Sequence, residues 1–271
     1  DSLKDEEYIA CDLETSGLDL KIDTLEGFGF GTDKLLYFIP MPTAIPPVFL
    51  EETLKKLYLN KQVIFHNAKF DLKMLIVNKL PIPENFQDTM IMSWLVDENM
   101  QHGLKLLSKL ILGKEPKKWE QLNREPDLFR NLADVIRELA EYCCEDVSNT
   151  YQLYFYFFPL LKKEDLLKDY NAVELKFIMV LVHMELRGIR VDVSWLRQKQ
   201  SEADKLLLEI DKKIKEKLKK FGYRAGVVNI RSSQQVEMIL FEWLRYQPDK
   251  VTDKGKRSTD NEVLEGLVKK H

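Results

Sequence analysis

Residues 8–14 impose the tightest constraint on how this chain folds, because two of its acids must share one face of a strand. Ile9, Cys11 and Leu13 fall on one parity of YIACDLE, and Ala10, Asp12 and Glu14 fall on the other. Side chains alternate across a strand, so the apolar trio packs on one face while Asp12 and Glu14 project together from the opposite one. Two carboxylates in one small volume repel each other unless a cation or proton compensates, and hard oxygen donors suit Mg²⁺ or Mn²⁺. Taken alone, the segment also reads as an ordinary strand end with solvated acids.

Two further segments carry the same chemistry. An apolar run at residues 63–65 is followed by His66 and Asn67, and then by Phe70, Leu72, Met74 and Leu75. That change of period marks a strand leading into a helix. Asp71 stands in the first turns of this helix and Asn67 is its expected N-cap. An acid there also complements the helix dipole with no further role. A second helical pattern covers about residues 132–158, in which Tyr142 and Asp146 are four apart and share a face. A tyrosine hydroxyl so placed can orient a water beside a metal-binding aspartate; a half-buried aromatic next to a surface acid is the plainer meaning.

Together the three segments resemble the exonuclease motifs of the DEDD superfamily, in the variant with tyrosine as fifth residue, and specifically the proofreading domain of family A DNA polymerases. The resemblance sets Asp12 and Glu14 at the first motif, Asp71 with Asn67 at the second, and Tyr142 with Asp146 at the third. It continues through residues 171–193, similar to the opening helix of that family's polymerase domain. NIRSSQQVEMILFEWL from Asn229 and KGKRSTDNEVLEGL from Lys254 are similar to its thumb.

This resemblance implies 3′-5′ exonuclease action on DNA, releasing nucleoside monophosphates with two divalent cations, Mg²⁺ or Mn²⁺. Asp12 would bridge the ions, Glu14 and Asp146 would complete the site of the one that activates water, and Asp71 would support the other. Tyr142 would orient the water. Leu18 would wedge between terminal bases, with Thr15 and Asn67 near the 3′ nucleotide of a single strand. Arg231, Ser232, Ser233, Gln234, Lys254, Lys256, Arg257 and Ser258 would follow the backbone of duplex DNA. Palm and fingers sequence does not appear before His271, so nucleotide addition is expected only with a further C-terminal portion.

The expected fold is α/β: a ribonuclease H-like mixed sheet flanked by helices, followed by a mainly helical thumb-like domain. Strands are expected near residues 7–13, 25–31, 34–39 and 62–66, with a hairpin across Thr32 and Asp33. Helices are expected near 50–59 and 67–78, and an amphipathic one at 193–221. Pro159 and the charges after it set a division into 1–163, the exonuclease domain, and 164–271, the start of the polymerase domain. Charge follows that division. Lys plus Arg number 17 against 26 Asp plus Glu in residues 1–161, and 24 against 18 in residues 162–271. An acidic metal-binding half beside a basic half fits a protein that cuts nucleic acid in one place and grips phosphates in another.

Three cysteines and four scattered histidines suggest neither a disulfide framework nor a zinc site. Without an apolar run of ~20 residues no membrane span is expected. The chain reads as an intracellular monomer, cytoplasmic or nucleoid-associated, with organelle or viral origin open. Two alternatives stand beside the DNA exonuclease. One is an RNA-trimming exoribonuclease using the same metals, and the other is a non-catalytic DNA-binding or structural module.

Overall fold

The computed structural model describes residues 2–117, 131–220, 222, 228–247, 250–251, 255 and 257–270. Five strands, β1 (Tyr8–Thr15), β2 (Leu25–Gly31), β3 (Leu36–Pro40), β4 (Gln62–Phe65) and β5 (Phe86–Asp88), form one sheet in the order β3-β2-β1-β4-β5. β2 runs antiparallel to β1 and β3, whereas β4 runs parallel to β1 and β5. The sheet is therefore mixed, as expected. The β2–β3 hairpin turns at Thr32, whose hydroxyl accepts from the N–H groups of Lys34 and Leu35. β5 was not expected, because three residues are too few to show an alternation.

The parity of β1 decides what lies on each side. Ile9, Cys11 and Leu13 are buried with Val63, Phe65, Leu72 and Leu75 on one face, beneath α1 (Pro47–Tyr58) and α2 (Ala68–Val77). Ala10 and Ile64 belong to the other core, with Val147, Leu153 and Phe157 of α5 (Leu132–Lys163) and residues of α3 (Thr89–Val96) and α4 (Leu104–Leu112). Asp12 and Glu14 share Ala10's parity and so face α5. Each large apolar side chain fully buried here contributes about 1.5–3 kcal/mol.

Helix α5 begins at a capping box formed by Asn131 and Asp134. Pro159 was expected to interrupt it but lies inside it. Proline removes one N–H from the helical ladder, yet Phe157 and Leu161, on either side of it, are almost wholly buried. Their packing outweighs the missing bond.

Packing divides the chain between Gly188 and Ile189. After α5 come the short α6 (Leu167–Asp169), a π-helical turn (Tyr170–Glu174) and α7 (Leu175–Arg187). Ile178 and Val182 of α7 are buried in the core that holds Ile9 and Leu13. The first compact unit thus reaches past the 163/164 division, which follows family resemblance rather than packing. The second unit contains α8 (Val193–Lys220), α9 (Ser233–Glu237), a π-helical segment (Met238–Trp243) and α10 (Asn261–Lys270). Among its described residues two small cores hold it, one with Leu218, Val228 and Ile239, the other with Phe241, Val263 and Leu267. Among the described residues no helix is long and apolar enough to cross a membrane.

Candidate active site

Asp12 and Glu14 pair in register with Gly29 and Gly27 of β2. Gly29 is needed for close approach: a Cβ there would lie 2.4 Å from Cys143 Sγ and 3.1 Å from Val147 Cγ2 of α5. With only a hydrogen in the way, the helix settles onto the sheet and presents Tyr142 and Asp146 to the acids of β1. Asp71 arrives from the opposite face in the first turn of α2, its Oδ1 accepting from Leu13 N at 3.1 Å. The structure thus brings together Asp12, Glu14, Asp71, Tyr142 and Asp146.

The crowding has an electrostatic cost. Burial, and then the charge of Asp146, push Asp12 up to about 7. Burial followed by Asp12 and Asp146 push Glu14 up to about 10. Asp146 is raised to about 6 by burial, with Lys105 opposing the shift. Asp71 is also raised, by burial and then by Asp12. One Glu14 oxygen, Oε1, is buried with no hydrogen-bond partner. Unpaired buried acceptors are costly, and a divalent cation both satisfies such an oxygen and removes the repulsion. The donor set therefore fits hard cations. Burial and the nearby carboxylates also push the Tyr142 phenol well above its ordinary value, so it stays protonated and hydrogen-bonds to Asp146.

Three neighbours were missed in the sequence. Lys105 of α4 places its ammonium on Asp146 Oδ1 and 3.8 Å from the centre of the Tyr142 ring. One of two lysines in an otherwise largely apolar helix carries no signal for that. Cys143 puts Sγ 3.7 Å from Asp12 Oδ2; its spacing of three from Asp146 would have placed it on the same face. Asp88 occupies the role expected of the Asn67 side chain. Asn67 has φ 69° and makes no side-chain cap, whereas Asp88 accepts from Asn67 N and Ala68 N at the start of α2 and from Met90 N at the start of α3. Its own N–H donates to Tyr170 Oη.

Behind this junction His66 donates from Nε2 to the His102 carbonyl and accepts at Nδ1 from Thr89. Burial pushes His66 down to about 4. The folded ring stays neutral while the unfolded one protonates below its ordinary 6.5. Its stabilising contribution is thus complete above pH 6.5 and is lost as pH falls towards 4. Thermal melts should accordingly show His66→Gln losing less stability than wild type over that interval, by up to about 1.4 kcal/mol per pH unit. Parallel curves would mean the ring does not carry the acid sensitivity.

The remaining expected contacts are dispersed. Thr15 Oγ1 donates to the Gly17 carbonyl, and Leu18 projects from that loop 84% exposed. In the second unit Arg231, Ser233 and Gln234 are exposed, while Ser232 caps α9 by accepting from Gln235 N. Arg257 is paired with Glu237 and Glu242 at 2.9 and 2.8 Å, and Ser258 is buried, accepting from Asp260 N. Arg257 therefore joins elements of this unit, while Ser258 braces the turn that leads into α10. Lys254 and Lys256 lie outside the described residues.

A protein-family model described as 3′-5′ exonuclease, of DNA polymerase A, matches residues 1–162. DNA polymerase I of Borreliella burgdorferi is 33% identical over 279 residues, covering 100% of this chain and 29% of that protein. DNA polymerase I of Rhizobium leguminosarum is 28% identical, covering 85% and 22%. The chain spans less than a third of the length of these relatives. Among solved structures, the POL domain of Pol1 from M. smegmatis, in complex with DNA primer-template and dNTP, superposes with a TM-score of 0.70 at 19% identity, covering 99% of this chain and 43% of that one. Brucella melitensis NrnC superposes at 0.56 and 24% identity, covering 70% and 91%. These two likenesses concern the fold.

Proposed function

The chain belongs to the 3′-5′ exonuclease family of DNA polymerase A, and from that premise we propose that it is the proofreading portion of a longer family A polymerase, removing nucleoside monophosphates from a DNA 3′ end. The observation that carries this reading is the convergence of four carboxylates, one with an orphaned buried oxygen, beside a protonated tyrosine.

Asp12, Glu14, Asp71 and Asp146 would hold two divalent cations, Mg²⁺ or Mn²⁺. When bound, such ions supply the charge that activates water and stabilises the attacking and departing oxygens of an in-line displacement. The chain's own residues do the positioning. Tyr142 Oη, with its proton committed to Asp146, keeps lone pairs with which to hold a water hydrogen. Lys105 fixes both side chains from one side. Leu18, exposed at its loop, would separate the terminal base from its neighbour, with Thr15 and Asn67 beside the last nucleotide. Arg231, Ser233 and Gln234 would meet duplex backbone; Ser232, whose N–H donates to the Asn229 carbonyl, and Arg257, paired with two acids, would join them only by giving up those partners. We assign residues 1–163 to the nuclease and 164–271 to the start of the polymerase domain, acting as a monomer inside the cell.

The exoribonuclease reading draws on the likeness to NrnC, one of whose structures is bound to pGG, but leaves the second unit without a task. Digestion of a 5′-labelled single-stranded DNA beside a matched RNA separates the two. DNA should shorten stepwise from its 3′ end with Mg²⁺ or Mn²⁺, stop on chelation, and outpace RNA. Faster RNA shortening would favour the ribonuclease, and folded protein that shortens neither would overturn the catalytic reading.

A further inference from the structure

The donor set at the end of β1 contains a sulfur that the hard-cation reading does not use. Ligand atoms of Asp12, Glu14 and Cys143 all lie within 4.8 Å of one another. Cys143 is completely buried, with Sγ 3.7 Å from both the Asp12 backbone oxygen and Asp12 Oδ2. Zinc binds sulfur at about 2.3 Å and carboxylate oxygen at about 2.1 Å, which at a tetrahedral angle sets the two donors about 3.6 Å apart. Sγ and Oδ2 already stand at nearly that separation. Glu14, 5% exposed, brings a carboxylate to the same cluster and leaves its Oε1 buried without a partner.

We propose that Cys143, Asp12 and Glu14 form a binding site for a soft divalent cation of the zinc or cadmium class, overlapping the place of the hard ions and so excluding them. The proposal rests on the nuclease reading only for its consequence, inhibition; the ligand set stands independently. Hard ions gain little from a thiol, whereas softer ones gain much, so the sulfur gives this site a preference that four carboxylates alone would lack. Binding transfers the thiol proton to solvent as the metal–sulfur bond forms. Gly29 holds the sulfur in place, since the absence of its Cβ is what admits Sγ between helix and sheet.

Cadmium itself is the probe, read through the ultraviolet charge-transfer band of a cadmium–thiolate bond in the whole chain, without nucleic acid. One band per chain is expected in wild type and in Cys144→Ser, which controls for the adjacent, less buried thiol. Cys143→Ser preserves size and should abolish the band, while Glu14→Gln should weaken apparent cadmium affinity at least tenfold. Excess Mn²⁺ should suppress the band by competing for the carboxylates. A wild type without the band, a band that survives Cys143→Ser, or unchanged affinity in Glu14→Gln would overturn the assignment. Protein that digests DNA with Mg²⁺ yet shows no band removes the sulfur ligand alone; protein that shows the band and digests nothing removes the nuclease reading alone.

Discussion

Asp12→Ala should lower the rate of 3′-end hydrolysis by at least about a thousandfold, roughly 4 kcal/mol of barrier, while making the metal-free protein more stable near pH 8. The two effects have one origin. Asp12 lies between Glu14, Asp71 and Asp146, and in the absence of a cation each of these acids is raised in the folded state. An acid raised on folding takes up a proton, so its stabilising contribution is complete below the unfolded value and is lost as pH rises through the folded one. For Asp146, Asp12 and Glu14 that loss runs upward from about 4 through about 6, about 7 and about 10. Removing Asp12 relieves its neighbours and should flatten the decline. Added Mg²⁺ should stabilise wild type strongly at pH 8 and the variant little. Single-turnover rates and melts with and without chelator would test both halves. A residual rate within tenfold of wild type, or metal-free Asp12→Ala melting below wild type at pH 8, would contradict the reading.

Gly29→Val should have the largest structural effect. Its Cβ would intrude to 2.4 Å from Cys143 Sγ and 3.1 Å from Val147 Cγ2, in a core where neither neighbour is exposed. Overpacking of this kind costs about 1–3 kcal/mol. The helix that must move carries Tyr142 and Asp146, and misplacement by about 1 Å costs on the order of a hundredfold in rate. Stability and activity should therefore fall together. Gly29→Ala, a milder intrusion, should be partly rescued by Cys143→Ala, which removes the nearest obstructing atom. Denaturant melts arranged as a double-mutant cycle would measure that coupling, and strict additivity of the two substitutions would show that the contact is not what excludes a side chain at position 29.

The legibility of the site follows from the range of the interactions that build it. The parity of β1 and the spacing of Tyr142 and Asp146 are local periodicities, and both faces emerge where those periods place them. Lys105 reaches Asp146 from another helix, and nothing in LKLLSKLIL distinguishes it from a surface lysine. Asp88 caps α3, which follows it directly, through Met90 N and Ile91 N, but its reach to Asn67 N and Ala68 N at the start of α2 spans about twenty residues and left no local trace. Pro159 misled for the converse reason: its local penalty is real, but the burial that overrides it comes from residues distant in sequence.

The burial of Ile178 and Val182 also has a meaning for inheritance. The family match ends at 162, whereas the apolar core of the first unit is completed by a helix that ends at Arg187. Glu185 of that helix is also paired with Lys69 and Lys73 of α2, the helix that carries Asp71. Recombination that exchanged the nuclease at its family border would leave behind part of its own interior. The seam at which such a module could be passed intact between genes therefore lies after Gly188, inside what resemblance alone would call the next domain.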